Sequence, residues 1–332
     1  MIFILFIILN VFIVYKFTLI KKIINIYDYP DRKRKFHKNP IFIGGGIIIF
    51  INYFFLLCLI FFDKNYESFF LAKDSFHVST WILGPLLIFF LGIYDDKKNL
   101  NGNLKFIILS IIYLIIIFLD ENLIINNLSF LSISFSLDLG LYSLLFTYLC
   151  FMIFSNAFNM LDGINLQAGL YSVIVFIFLI SRIGFYYDFL IIILSLFTYL
   201  YLNFKNKTFL GDSGTYLVSY FLSVIVIKSY NSGKLILCDE ILMLMILPGL
   251  ELVRLFITRI LKRQNPLLPD RNHLHHLVSL KFKNISHIKI SLINNSLFLF
   301  FCLLFFLNPS IFIIIISIMF YFYAIYHLKK ID

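Results

Sequence analysis

The chain has 332 residues, 61% hydrophobic and only 14% charged, with a mean hydropathy of +0.94. That excludes an ordinary soluble domain, in which about a quarter of the residues are charged. The formal net charge of +10 lies mainly between apolar blocks, which points to bilayer orientation and anionic headgroups and not to nucleic acid.

The apolar residues run in long blocks instead of a helical stripe, so the predicted fold is an all-α polytopic membrane protein. About eleven transmembrane helices are predicted, near 2–20, 41–62, 79–94, 104–119, 141–157, 166–182, 188–203, 214–229, 239–257, 288–307 and 310–327. The first block lacks a preceding basic residue and a following small-x-small site, so it reads as a retained span and not a cleaved signal. The block 123–139 carries Asn126, Asn127, several serines and Asp138, and reads as an interfacial excursion. Lys21, Lys22, Arg32, Lys33, Arg34, Lys35 and Lys38 place the first connector in the cytoplasm, with the N-terminus outside and the C-terminus inside. Walking the spans makes a single domain, 1–332, with cytoplasmic loops 21–40, 95–103, 158–165, 204–213 and 258–287. The last of these is itself basic. Cys58, Cys150, Cys238 and Cys302 have no metal or redox spacing and read as small buried hydrophobes.

Polar residues collect in or beside the loops assigned to the cytoplasm. The stretch from Asp28 to His37, followed by Gly44-Gly45-Gly46, is either a topology determinant with close helix packing or a place where backbone approaches a ligand. Asp95-Asp96, with Lys105 beyond, is either a solvated helix end or a pair of carboxylates facing a metal or serving as base. Asn156, Asn159 and Asp162 recur every three residues and share a helical face, for interhelical hydrogen bonds or for a ligand, before Gly163 ends the helix. Gly211-Asp212-Ser213-Gly214 opens a span, where Asp212 is a plain N-cap or part of a phosphate-favouring helix start. Arg271, His273, His275 and His276 suit phosphate contacts better than zinc, because no cysteine lies nearby; a structural role is the third reading.

Taken in order, these residues resemble the polyprenyl-phosphate N-acetylhexosamine-1-phosphate transferases, glycosyltransferase family 4, on its initiating branch. The muramoyl-pentapeptide translocase of peptidoglycan is related. The match runs from Asp28 to His276, through Asp28-x-Pro30, Gly44-Gly45, Asp95-Asp96, Asn156-x-x-Asn159-x-x-Asp162-Gly163, Gly211-Asp212-x-Gly214 and His273-x-His275-His276. Two features depart from the family pattern: Asn165 stands where an Asp is common, and no Gln follows Lys105 at the usual place.

The resemblance implies a Mg2+-dependent phosphoglycosyl transferase of the bacterial inner membrane, with Mn2+ as the alternative ion. A polyprenyl phosphate attacks the sugar-proximal phosphorus of a UDP-sugar, UMP leaves, and a lipid-linked glycan of the cell wall or lipopolysaccharide is begun. Two like charges about 4 Å apart repel by about 4 kcal/mol at an effective dielectric near 20, so joining two anions calls for a cation. Asp212 is the expected metal ligand. Asp95, Asp96 and Asp162 are the expected catalytic carboxylates. Gly44, Gly45, Lys105, Asn156, Asn159, Arg271, His273, His275 and His276 are the expected substrate contacts. A membrane transporter is the rival class, although no inverted repeat is visible; a catalytically dead scaffold and a muramoyl-pentapeptide transferase are the others.

Overall fold

The computed structural model describes residues 2–30, 39–62, 68–70, 77–130, 132–234, 237–264, 272–282 and 285–330. The basic run 31–38 and Arg271 lie outside the described residues. In chain order the helices are α1 (Ile2–Tyr15), α2 (Phe17–Ile24), α3 (Gly45–Phe62), α4 (Gly84–Lys98), α5 (Gly102–Leu119), α6 (Ser143–Leu161) and α7 (Gln167–Ile183). They continue with α8 (Tyr187–Phe204), α9 (Gly211–Asn231), α10 (Cys238–Leu261), α11 (Leu274–Lys281), α12 (His287–Leu307) and α13 (Ile311–Lys329).

Among the described residues, seven helices are long and apolar enough to cross a membrane, or eight if α1 and α2, bent by 67°, count as one span. This makes the chain a polytopic helical membrane protein. The helices α4, at 15 residues, and α7, at 17, are short for a crossing. At 21 residues α9 is long enough but carries serines, a threonine and tyrosines. It can do so because it is the central helix: Ser213 to Ser229 is buried on every side, against α3, α4 and α6.

Local chemistry sets the ends. Pro85 starts α4, and Asn99, with φ 51°, stops it. Asn101 caps α5 by accepting the Asn103 N–H at 3.2 Å. Small residues let the helices converge: a side chain at Gly46 would collide with Ser213 and Gly214, and one at Gly92 with Ser213.

Two features were not expected from the sequence. A small sheet joins β1 (Tyr27–Asp28), β2 (Ile41–Ile43) and β5 (Thr208–Phe209). In it β1 runs antiparallel to β2, while β2 runs parallel to β5 with Phe42 opposite Thr208. The sheet ties the connector before α3 to the one before α9. The block 123–139 holds a hairpin, β3 (Asn127–Phe130) and β4 (Phe135–Asp138), in keeping with a segment that leaves the helical bundle. Helix ends also run further than expected: Asp95 and Asp96 sit in the last turn of α4, and Asp212 in the first turn of α9, not in loops.

Candidate active site

The C-terminal ends of α4 and α6 and the N-terminal ends of α5 and α9 meet, and Asp95 and Asp96, Asp162 and Asp212 collect there beside Lys105 of α5. Asp96 satisfies the start of α9 from a neighbouring helix. Its Oδ1 accepts the Asp212 N–H at 2.7 Å, and its Oδ2 accepts the Ser213 N–H at 3.1 Å and the Ser213 hydroxyl at 2.7 Å. A carboxylate is favoured at this position by the free N–H groups and the helix dipole. Gly211, with φ 77°, allows the approach; a side chain there would crowd the Asp96 carboxylate.

Asp212 is held from both sides. Its Oδ1 accepts Asn159 Nδ2 at 2.7 Å, and its Oδ2 accepts Lys105 Nζ at 2.9 Å. Asn159 also donates to the Tyr216 hydroxyl at 2.9 Å. Lys105 pairs in addition with the buried Asp95, whose other oxygen accepts the Leu100 N–H at 2.9 Å. Asp162 caps the C-terminal end of α6 and has no hydrogen bond or ion pair among the described residues. Burial, then the charges of Asp212 and Asp96, push its carboxyl up to about 8. Lys105 thus pairs with two of these carboxylates, Asp95 and Asp212.

A cleft of about 640 Å3 opens over this cluster. Asp96, Asn159, Asp162 and Asp212 line it on one side, and Asp28, Tyr29, Asn165, Asn206, His276 and His287 elsewhere. The other predicted residues fall as follows. Asn156 donates to the Met152 carbonyl of its own helix at 2.7 Å and does not line the cleft. Gly44 and Gly45 serve close packing: the Gly44 N–H donates to the Phe209 carbonyl at 3.3 Å, and a Cβ on Gly45 would lie 2.7 Å from Leu210 Cα. His273 is buried with its Nδ1 3.4 Å from Glu251 Oε1. His275 is buried against Gly163, and its imidazole is held neutral by burial and then by the neighbouring His276 and His273. Of the three histidines, His276 reaches the cleft. Ser213, Tyr216, Asn206 and His287 belong to the site and were not expected there. Ser213 adjoins Asp212 and Tyr216 follows it by four residues, one helical turn, a signal the sequence does hold.

No group of three or more His, Cys, Asp or Glu side chains among the described residues is arranged to enclose a metal by itself. The donor set still fits a hard cation that keeps most of its shell for water and phosphate. Asp162 and Asp212 offer oxygen only, and the Asp162 carboxylate has no partner among the described residues.

The helical bundle thus carries an acidic cleft at one end. Residues 78–230 match the sequence model of Glycosyl transferase family 4. It is 25% identical over 271 residues to undecaprenyl-phosphate alpha-N-acetylglucosaminyl 1-phosphate transferase of Salmonella typhi, a match covering 77% of this chain and 69% of that one. To the protein of the same name from Escherichia coli O157:H7 it is 24% identical over 276 residues, covering 78% and 70%.

Proposed function

We propose that this protein transfers N-acetylhexosamine-1-phosphate from a UDP-sugar to a polyprenyl phosphate and releases UMP. The observation that carries this reading is the cleft where Asp96, Asn159, Asp162 and Asp212 converge beside Lys105. The names of the relatives supply the lipid acceptor and the sugar phosphate; uridine follows from the family resemblance.

The residues divide the work. Lys105 and Asn159 fix both oxygens of Asp212, so its carboxylate points at the cleft in one orientation. Asp96 and Asp95 hold the helix start and the lysine that make this possible. Asp212 and Asp162 would hold Mg2+, which supplies neutralisation of the two anionic partners. Asp162 faces the cleft, and its carboxylate has no partner among the described residues. His276 and Asn165 face the far side of the cleft, where the donor would lie. In the direct reaction a lipid phosphate oxygen forms a bond to the sugar-proximal phosphorus as the bridging oxygen leaves with UMP.

The membrane arrangement belongs to the same reading. The described residues include eleven helices of 14 or more residues, and residues of 95–103, 158–165 and 204–213 line the cleft. With basic connectors inside, the chain is one domain of about eleven spans in a bacterial inner membrane, N-terminus out and site facing the cytoplasm. Purified protein given UDP-N-acetylhexosamines, polyprenyl phosphate and Mg2+ should yield a polyprenyl-diphosphate sugar and UMP, and chelation should stop it. Formation of free sugar or of a monophosphate-linked lipid would refute the reaction. Turnover of the muramoyl-pentapeptide donor alone would move the protein to the other branch.

A further inference from the structure

We propose that Glu251 is a positioning residue for the cleft: it fixes the short helix α11 and so sets His275 and His276, an inference that rests on the transferase reading above. α11 has eight residues, fewer than a helix needs to persist by itself. Its N-cap residue, His273, gives the helix start no side-chain hydrogen bond. Glu251 of α10 provides the missing acceptor, its Oε1 taking the Leu274 N–H at 2.8 Å.

The carboxylate is itself locked. Arg254, three residues on, donates through Nη2 to both Glu251 oxygens at 2.9 Å and to the Asn272 carbonyl at 2.7 Å. Its Nε donates to the Tyr321 hydroxyl of α13 at 2.8 Å, and that hydroxyl donates back to Glu251 Oε2. Glu251, Arg254 and Tyr321 are all buried. Desolvating such a pair costs more than its attraction commonly returns, so stability alone is a weak reason for it. What the network achieves is geometric: α10, α13 and the start of α11 are pinned to one carboxylate.

From that point the two histidines of α11 diverge. His275 turns inward, its ring occupying the space that a Cβ on Gly163 would need, and so backs the turn that carries Asp162. His276, the next residue, lines the cleft. A shift of α11 by a fraction of a helical turn would withdraw both.

The test is Glu251→Ala, Tyr321→Phe, His276→Ala and the Glu251→Ala/His276→Ala double variant, with KM measured separately for donor and acceptor. Glu251→Ala should raise the donor KM at least about tenfold with kcat within about threefold and the acceptor KM unchanged. Tyr321→Phe, which removes one hydroxyl and serves if the first variant fails to fold, should move the donor KM the same way by a smaller factor. The double variant should be clearly less than additive in donor KM, because Glu251 acts in part through His276. Carbethoxylation of His275 by diethylpyrocarbonate, read by mass spectrometry, should be slow in the wild type and fast in Glu251→Ala. A fall in active protein with both KM values unchanged, an additive double variant, or unchanged labelling of His275 would each overturn the proposal. If the wild type releases no UMP from any UDP-sugar, the functional reading has failed, and the labelling alone decides whether Glu251 sets α11.

Discussion

The core of the bundle carries a buried lysine–carboxylate contact at each end, and the two differ in kind. At the end away from the cleft, Lys228 of α9 meets Asp120 at 2.7 Å, and Thr80, the Asn122 N–H and His77 at 3.4 Å also surround the carboxylate. At the cleft end, Lys105 meets Asp95 and Asp212 while Asp96 and Asp162 stand beside them. The first group is balanced and closed over, as a buried ion pair must be if it is only to hold helices together. The second is in deficit and opens on a cleft. Carboxylates that outnumber their cationic partners among the described residues leave room for a bound cation, and this makes the two ends separable by experiment.

The largest expected effect is at Asp212. Asp212→Asn keeps the size but removes the charge and one of the two acceptors, and turnover should fall by on the order of 1000-fold or more, about 4 kcal/mol in the barrier. Membrane insertion and the thermal unfolding midpoint should stay near wild type. Radiolabelled sugar transfer on purified protein reads the first, and a detergent thermal-shift measurement the second. Near-normal transfer would remove Asp212 from the chemistry.

The opposite end should behave in the opposite way. Asp120→Asn leaves Lys228 charged and buried, a loss of about 3–5 kcal/mol of stability. Yield and unfolding temperature should drop, while the donor KM of the surviving protein is unchanged. Asp120→Asn combined with Lys228→Met should recover most of the stability. If the single variant lowers turnover per folded molecule and leaves stability intact, the two ends are not distinct in the way the charge count implies.

How much of this could be read beforehand follows from the bilayer. Carboxylates and asparagines stand out against apolar sequence, so the segments that meet at the cleft, around Asp95, Asn159, Asp162 and Asp212, were visible from the sequence. Which atom of each group faces the cleft was not. Asp95 and Asp96 are adjacent, yet one holds Lys105 and the other caps α9, a division set by helix packing. Asn156 and Asn159 share a helical face, yet the first bonds its own backbone. The strands β1, β2 and β5 have two or three residues each, too few for any periodicity to show. Glu251 and Arg254 were overlooked as residues inside an apolar block, although an acid and a base three apart in such a block are a readable pair.

A smaller effect concerns pH. The carboxyl of Asp162 is pushed up to about 8 by burial and by the charges of Asp212 and Asp96. Below that pH it is protonated, and a divalent ion competes with the proton for it. Apparent Mg2+ affinity should therefore rise as pH climbs from 7 to 9, by about tenfold per unit while the acid form dominates. In Asp162→Asn the affinity should be weaker and flat across the same range. Mg2+ titrations of activity at each pH give the comparison, and an identical slope in the variant would assign the proton to another group.

The smallest effect should come from Asn165, and it tests whether facing the cleft is enough to matter. Asn165 lines the cleft, but its amide is engaged with the chain, donating to the Asn203 carbonyl at 3.2 Å and to Asn206 Oδ1 at 2.6 Å. It carries no charge, so removing it leaves the carboxylate surplus untouched. Asn165→Ala should lower kcat/KM by only a few-fold, about 1 kcal/mol, through loosening of the 162–166 turn against Asn203 and Asn206. Asn165→Asp would add a fifth carboxylate beside Asp162, raising the demand for a cation, and the Mg2+ dependence should shift before the turnover does. A loss in Asn165→Ala as large as that of Asp212→Asn would mean that the amide touches the reacting groups, and that charge surplus is not what divides the working end of the bundle from the structural one.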